Sequence, residues 1–145
     1  MNATILTSVF AVLVSITNLS AQNVKVYSNT ENSEAGVKKE LVTLDNKTSA
    51  PLGQNIYVYN TDGNIQEKVV NKWVESKGWV SIGKYEYQYN EVGNVANLTY
   101  TKWDDKKNNW ADESQFLVHV YNDNNELISI NELKVSSVQN LFTQK

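Results

Sequence analysis

Carboxylates and one histidine are the side chains of this sequence that could take part in acid–base or metal chemistry. Two carboxylates can hydrolyse a glycosidic bond, and the adjacent pairs Asp104–Asp105 and Asp112–Glu113 offer that combination. Both pairs, however, flank a run of Lys and Asn that is typical of a solvated turn. His119 is the single histidine, and the sequence has neither a second such group nor the supporting signature that a nucleophilic triad or a His-rich metal site needs. We therefore predict a protein that is not an enzyme and has no metal ion or cofactor.

Four tryptophans carry the positive functional signal of the sequence. Trp and Tyr combine a large apolar ring with a polar tip, so they can stack on sugar rings or anchor a protein partner. The same residues can instead shield the surface of a thin sheet, and the sequence leaves these two alternatives open. The tryptophans form two pairs, each separated by a short polar segment, and we take all four as candidate ligand-binding residues: Trp73, Trp79, Trp103 and Trp110.

An internal repeat positions these residues. The pattern Tyr-Asn-x-x-Gly-Asn begins at Tyr59 and recurs at Tyr89 and, with Asn for Gly and Glu for the last Asn, at Tyr121. The residue at the Gly position closes a type I turn with a positive φ, which Gly adopts most readily and Asn next. These structural turn residues are Gly63, Gly93 and Asn125. The repeat therefore predicts hairpins.

Side chains alternate between these turns in the manner of strands. Tyr85, Tyr87 and Tyr89 share one face of a segment whose other face carries Val80 and Ile82. The predicted fold is all-β: an antiparallel meander of about seven strands, made of roughly 30-residue repeats, in a single sheet that is twisted or partly curled. The strands are predicted near 37–44, 54–60, 64–73, 79–89, 94–103, 110–121 and 126–135, with a bulge or a longer loop in the last copy.

The first residues of the chain differ in kind from the rest. Ile5–Ile16 is an uncharged apolar run that is too short to span a bilayer as a helix. We read residues 1–21 as a signal peptide cleaved after Ala21, although no Lys or Arg precedes the run. The alternative is a short buried helix of the domain. The remaining predicted segments are an N-terminal part with the first strand or strands (22–53), the repeat-built sheet (54–135) and a tail (136–145).

The net charge of the chain bears on its partners, and the predicted signal peptide bears on its location. A net charge of −3 without any Arg argues against a nucleic-acid partner, because such domains are basic and rely on Arg. A cleaved signal peptide leaves no transmembrane anchor. We therefore predict an extracytoplasmic protein, which is periplasmic, secreted or at the cell surface.

The repeated turn resembles a known motif. Tyr-Asn-x-x-Gly-Asn followed by Ile or Val resembles the YD repeat, whose hairpins read Tyr-Asp-x-x-Gly-Arg-Leu. With its paired tryptophans, the pattern is closer to a family of small secreted Bacteroidetes proteins that has only a domain of unknown function, over about residues 54–135. That resemblance implies an extracytoplasmic β-rich domain and no known catalytic residue. The chain departs from the YD pattern, with Asn for Asp at 60, 90 and 122 and Asn or Glu for Arg at 64, 94 and 126.

These observations favour a non-catalytic binding module. In a meander the four tryptophans are expected in a row along one edge of the sheet, and Tyr59, Tyr89 and Tyr121 along the other, so that the Trp/Tyr row meets a glycan or a protein partner. The first alternative is a structural envelope protein in which an exposed edge or face pairs with another copy. The second is an inhibitor or accessory of a secreted enzyme.

Overall fold

The computed structural model describes residues 10–15 and 23–136, and within these ranges the chain forms nine β-strands and no helix. The described residues thus contain no helix long and apolar enough to cross a membrane. The all-β class predicted from the sequence is confirmed. The strands are β1 (Phe10–Ser15), β2 (Val24–Ser33), β3 (Gly36–Asp45), β4 (Pro51–Tyr59), β5 (Ile65–Val74), β6 (Gly78–Tyr89), β7 (Val95–Asp104), β8 (Asn109–Tyr121) and β9 (Leu127–Ser136).

The strands follow one another in the sheet in the order in which they occur in the chain. Neighbouring strands run antiparallel, as the registers on either side of β2, β4 and β8 show. The predicted antiparallel meander is therefore confirmed. The chain divides into two compact units, one up to Ser81 and one from Ile82 onward.

The prediction of about seven strands is too low by two. Strands β3 to β9 lie at the seven predicted positions, and β1 and β2 are additional. The second half of β2 contains two Asn and one Ser, which favour turns. Its pairing with β3 along the whole length of both strands overrides that preference.

Two predicted segments fall at the limits of the described residues. Strand β1 lies inside residues 1–21 and pairs with β2 from Phe10 opposite Thr30 to Ser15 opposite Lys25. Cleavage of this segment as a signal peptide stays a prediction. Of the predicted tail 136–145, Ser136 ends β9 and the rest lies outside the described residues.

No apolar side chain among residues 23–136 is buried. The buried side chains are polar instead: Ser28, Gln54, Asn71 and Thr101, each at most 9% exposed. Apolar and aromatic side chains are covered only in part, as expected where a sheet lacks a second layer packed against it. Cross-strand contacts within the sheet therefore carry much of the stability.

The three repeat turns share one set of hydrogen bonds. In the first turn the Asn60 side chain Oδ1 accepts from the backbone amides of Asp62 at 3.0 Å and Asn64 at 2.9 Å. The Gly63 amide donates to the Asn60 carbonyl at 3.0 Å, and Gly63 has a φ of 83°. The same bonds recur at Asn90 with Gly93 (φ 89°) and at Asn122 with Asn125 (φ 62°). An Asn side chain thus fixes each turn from within.

The last repeat differs from the others inside β8. Thr101 is opposite Ser114 and Trp103 is opposite Trp110, so β8 has three residues between these pairs where β7 has one. The loop before β8 is also longer than the loop between β5 and β6. Both features account for the larger spacing of the last copy in the sequence.

Candidate functional site

The first tryptophan pair closes the hairpin between β5 and β6. The rings of Trp73 and Trp79 meet edge to face, with centroids 5.2 Å apart and an interplanar angle of 76°. The turn between them is closed by a hydrogen bond of 2.9 Å from the Lys77 amide to the Val74 carbonyl. Trp73 remains 37% exposed. The pair is a stabilising contact that leaves one indole accessible.

The second tryptophan pair closes the hairpin between β7 and β8. Trp103 and Trp110 are opposite each other in the register, with centroids 5.0 Å apart and an interplanar angle of 87°. The Lys84 Nζ lies 4.9 Å from the centroid of the Trp110 ring, which is the geometry of a cation–π interaction. The same Nζ lies 3.3 Å from Glu86 Oε1. This pair is therefore linked to a fixed positive charge.

The predicted single row of four tryptophans stays a prediction, because the two pairs belong to different units. The tyrosines of the other predicted row, Tyr59, Tyr89 and Tyr121, each end a strand. Partial burial raises the pKa of Tyr89 above its usual value. The Tyr121 hydroxyl donates to the Val95 carbonyl at 2.6 Å. Tyr121 is thus engaged in holding β7 and β8 together.

A charged loop with a concave surface follows Trp103. The Asp104 Oδ1 accepts hydrogen bonds from the backbone amides of Lys106 at 2.9 Å and Lys107 at 3.2 Å, so the loop is fixed by its own side chain. Lys107 forms an ion pair with Asp112, and the hydrogen bond in this pair raises the pKa of Lys107. The concave surface has a volume of about 410 Å³ and is lined by Lys102, Trp103, Asp104, Asp105, Lys106 and Ala111.

Two polar contacts near the tryptophans, one buried and one half-buried, were not predicted from the sequence. In the first unit, the Asn71 Nδ2 donates to Gln54 Oε1 at 2.6 Å. In the second unit, the hydroxyls of Thr101 and Ser114 are 2.6 Å apart. Asn71 and Thr101 hold the same position in successive repeats, and each comes shortly before a tryptophan, Trp73 or Trp103. A polar residue at this shared repeat position, two residues before a tryptophan, is the sequence feature from which both contacts could have been predicted.

Three of the candidate acid–base residues contact groups of their own strand or hairpin: His119, Asp104 and Asp112. The His119 Nδ1–H donates to the Leu117 carbonyl at 2.9 Å within β8, as a strand residue would. Asp104 is engaged with its own loop and Asp112 with Lys107. The described ranges contain no group of three or more His, Cys, Asp or Glu residues that could hold a metal ion.

The fold and the repeated hairpins define a class of all-β proteins made of one antiparallel sheet of consecutive strands. A family model described as a family of unknown function, DUF3836, matches residues 1–123. The chain therefore belongs to the DUF3836 family. The expected membership in a family of unknown function is confirmed, whereas the resemblance to YD repeats and the bacterial group stay predictions.

One solved structure is similar to this chain. It is the crystal structure of a DUF3836 family protein from Parabacteroides distasonis ATCC 8503. The two sequences are 17% identical, the alignment covers 81% of this chain and 97% of the other, and the TM-score is 0.44. No protein of curated function matches this chain.

Proposed function

We propose that this chain is a non-catalytic binding protein that acts outside the cytoplasm and binds an oligosaccharide at the hairpin between β7 and β8. The observation that carries this proposal is the concave surface of about 410 Å³ at that hairpin. Its lining combines one indole, from Trp103, with ammonium and carboxylate groups such as those of Lys102 and Asp105. The indole is the largest flat ring system among the side chains and can therefore cover a sugar ring.

The chemistry of these side chains suits a sugar. An indole face covers the C–H groups of a pyranose ring, while carboxylates accept hydrogen bonds from hydroxyl groups and ammonium groups donate to them. Trp110 packs against Trp103 at 5.0 Å and restricts its ring, and Asp104 fixes the loop. A ligand would therefore meet a surface that is already ordered, which lowers the entropic cost of binding.

Titration with sugars tests this proposal. An array of neutral and acidic oligosaccharides identifies binders, and their affinity is then measured by the change in tryptophan fluorescence. We expect Trp103→Ala to weaken binding by about tenfold or more, because an aromatic anchor of this kind contributes at least about 1.4 kcal/mol.

The matched control is Trp73→Ala, at the equivalent position of the preceding repeat. It removes the same edge-to-face contact, with Trp79, from the hairpin between β5 and β6. We expect Trp73→Ala to bind sugar as the unchanged chain does. Absence of binding across the array, or an equal loss in both variants at equal melting temperature, would contradict the proposal.

The extracytoplasmic location rests on the apolar run Ile5–Ile16 within the predicted signal peptide of residues 1–21. Cleavage after Ala21 would remove β1 and leave β2 as the first strand. Mass spectrometry of the exported protein is expected to find Gln22 as the first residue. A mature chain that still begins at Met1 would contradict the location and leave the sugar-binding test unaffected.

A further inference from the structure

The last strand is the most exposed of those whose side chains are described. Every residue from Leu127 to Lys134 is exposed. β9 is the last strand in the sheet order, so one edge pairs with β8 and no described strand pairs with the other edge. A long strand of this kind readily pairs with a further strand. The large apolar side chains of β9 are also exposed. They are Leu127, Ile128, Ile130 and Leu133, with 49%, 61%, 52% and 53% of their surface exposed.

We infer that residues 131–135 of β9 pair, at the edge that faces away from β8, antiparallel with the same residues of a second copy of this chain, with Leu133 on the two-fold axis. In this register each Glu132 is directly opposite Lys134 of the other copy, and the contact occurs twice by symmetry. Opposite charges directly across an antiparallel pair stabilise it. The strand is thus complementary to itself in charge.

Other symmetric registers lose this complementarity. A shift of the axis by one residue to Glu132 or to Lys134 places like charges opposite each other, which is destabilising. An axis at Asn131 places Glu132 opposite Ile130 and leaves both charges without a partner across the interface. Beyond Ser129 the register with β8 shifts at Val120, so a regular pairing is confined to the second half of β9.

The pairing of β9 with β8 places no opposite charge directly across from Glu132 or Lys134. On the β8 side, Glu132 is opposite Leu117 and Lys134 is opposite Gln115, so neither charge meets an opposite charge there. Leu133 is opposite Phe116. A second Leu133 across the axis would extend this apolar row and cover part of an otherwise exposed side chain.

A single cysteine tests the position of the axis, because the sequence has no cysteine of its own. Leu133→Cys places two thiols directly opposite each other, at a Cα separation of about 4.5 to 5.5 Å that a disulfide accommodates. We expect mild oxidation to convert most of this variant to a covalent dimer. Ile128→Cys is the control: it is the more exposed site, but its two copies would be about 30 Å apart along the strands.

Charge reversal tests the ion pairs by sedimentation equilibrium. We expect the unchanged chain to show a concentration-dependent monomer–dimer equilibrium. Glu132→Lys alone, or Lys134→Glu alone, creates like-charge contacts and is expected to weaken the dimer by about tenfold. The double variant with both changes restores opposite charges and is expected to restore the dimer.

The outcomes separate the alternatives. A monomer at every concentration overturns the proposal; if deletion of residues 137–145 then produces a dimer, the chain's own last residues cover β9 instead. Equal cross-linking of the two cysteine variants overturns the two-fold register. A dimer that is insensitive to both single reversals shows that another surface forms it. None of these results depends on sugar binding.

Discussion

The hairpin of β4 and β5 and that of β6 and β7 come from successive copies of the repeat but use their equivalent residues differently. In the first hairpin Gln54 and Asn71 are opposite each other and share a buried hydrogen bond of 2.6 Å. In the second hairpin Lys84 is opposite Thr101, in the same register. These two side chains contact residues of β8: Lys84 lies over the Trp110 ring, and Thr101 contacts the Ser114 hydroxyl. The repeat fixes the backbone register, and the side-chain partners then depend on the neighbouring strand.

A pair of glycines shows the same divergence. Gly53 and Gly83 hold equivalent positions in these two copies of the repeat. A Cβ at Gly83 would lie 2.6 Å from the ring of Tyr100, whereas the nearest atom to a Cβ at Gly53 is 4.0 Å away. Tyr100 lies over the glycine and also contacts Tyr85, with centroids 4.9 Å apart. An aromatic ring packed over a strand glycine is a recognised way to stabilise such a position.

The largest expected effect comes from these glycines. Gly83→Ala displaces the Tyr100 ring from both the glycine and Tyr85, so we expect a loss of about 1 to 3 kcal/mol in the free energy of unfolding. Gly53→Ala meets no close atom and reduces the freedom of the unfolded chain, so we expect no loss and a gain of up to about 1 kcal/mol. Urea denaturation measures both. Equal effects would show that the two hairpins pack alike.

A smaller effect is expected from the two polar contacts, Gln54 with Asn71 and Thr101 with Ser114. Asn71→Ala leaves the Gln54 amide buried without its donor and should cost about 2 kcal/mol in the free energy of unfolding. Thr101→Val keeps the shape and leaves the Ser114 hydroxyl alone, but Ser114 is only half-buried, so water can replace the bond. We expect a cost of about 1 kcal/mol. A larger cost at Thr101 than at Asn71 would reverse the comparison.

The smallest effect is expected at Lys84. Lys84→Met removes the cation–π contact with Trp110 and the ion pair with Glu86, and should cost about 0.5 to 1 kcal/mol in the free energy of unfolding. Lys102→Met is the matched control, because Lys102 is exposed in the neighbouring strand. The control should leave the midpoint of urea denaturation unchanged. An equal shift in both variants would mean that the Trp110 contact adds no stability.

Local chemistry made much of the fold predictable. Alternation and the Asn-initiated turns locate β3 to β9, because both depend on residues close together in the chain. Strand β2 was not among the predicted strands, because its second half, with Asn29, Thr30 and Asn32, resembles a turn. This half becomes a strand only through its pairing with β3. The number of strands therefore needed a tertiary contact.

The candidate site was predictable only in its tryptophans. Their spacing places each pair at the end of a hairpin, where the two rings are close enough to meet edge to face. Lys84 contacts Trp110 and Thr101 contacts Ser114. Both contacts depend on β8, whose bulge brings residues from different repeat positions together. The spacing of residues within one repeat therefore does not predict these contacts with β8.

The chain order of the strands also has a kinetic consequence. Each described strand finds its partner across a short connection, so each hairpin closes at little cost in loop entropy. Turns held by their own Asn side chains can form early, before the flanking strands are complete. Contacts of low sequence separation go with fast folding. We expect folding to start at any of the three Asn turns and to spread one strand at a time, as it does in repeat proteins.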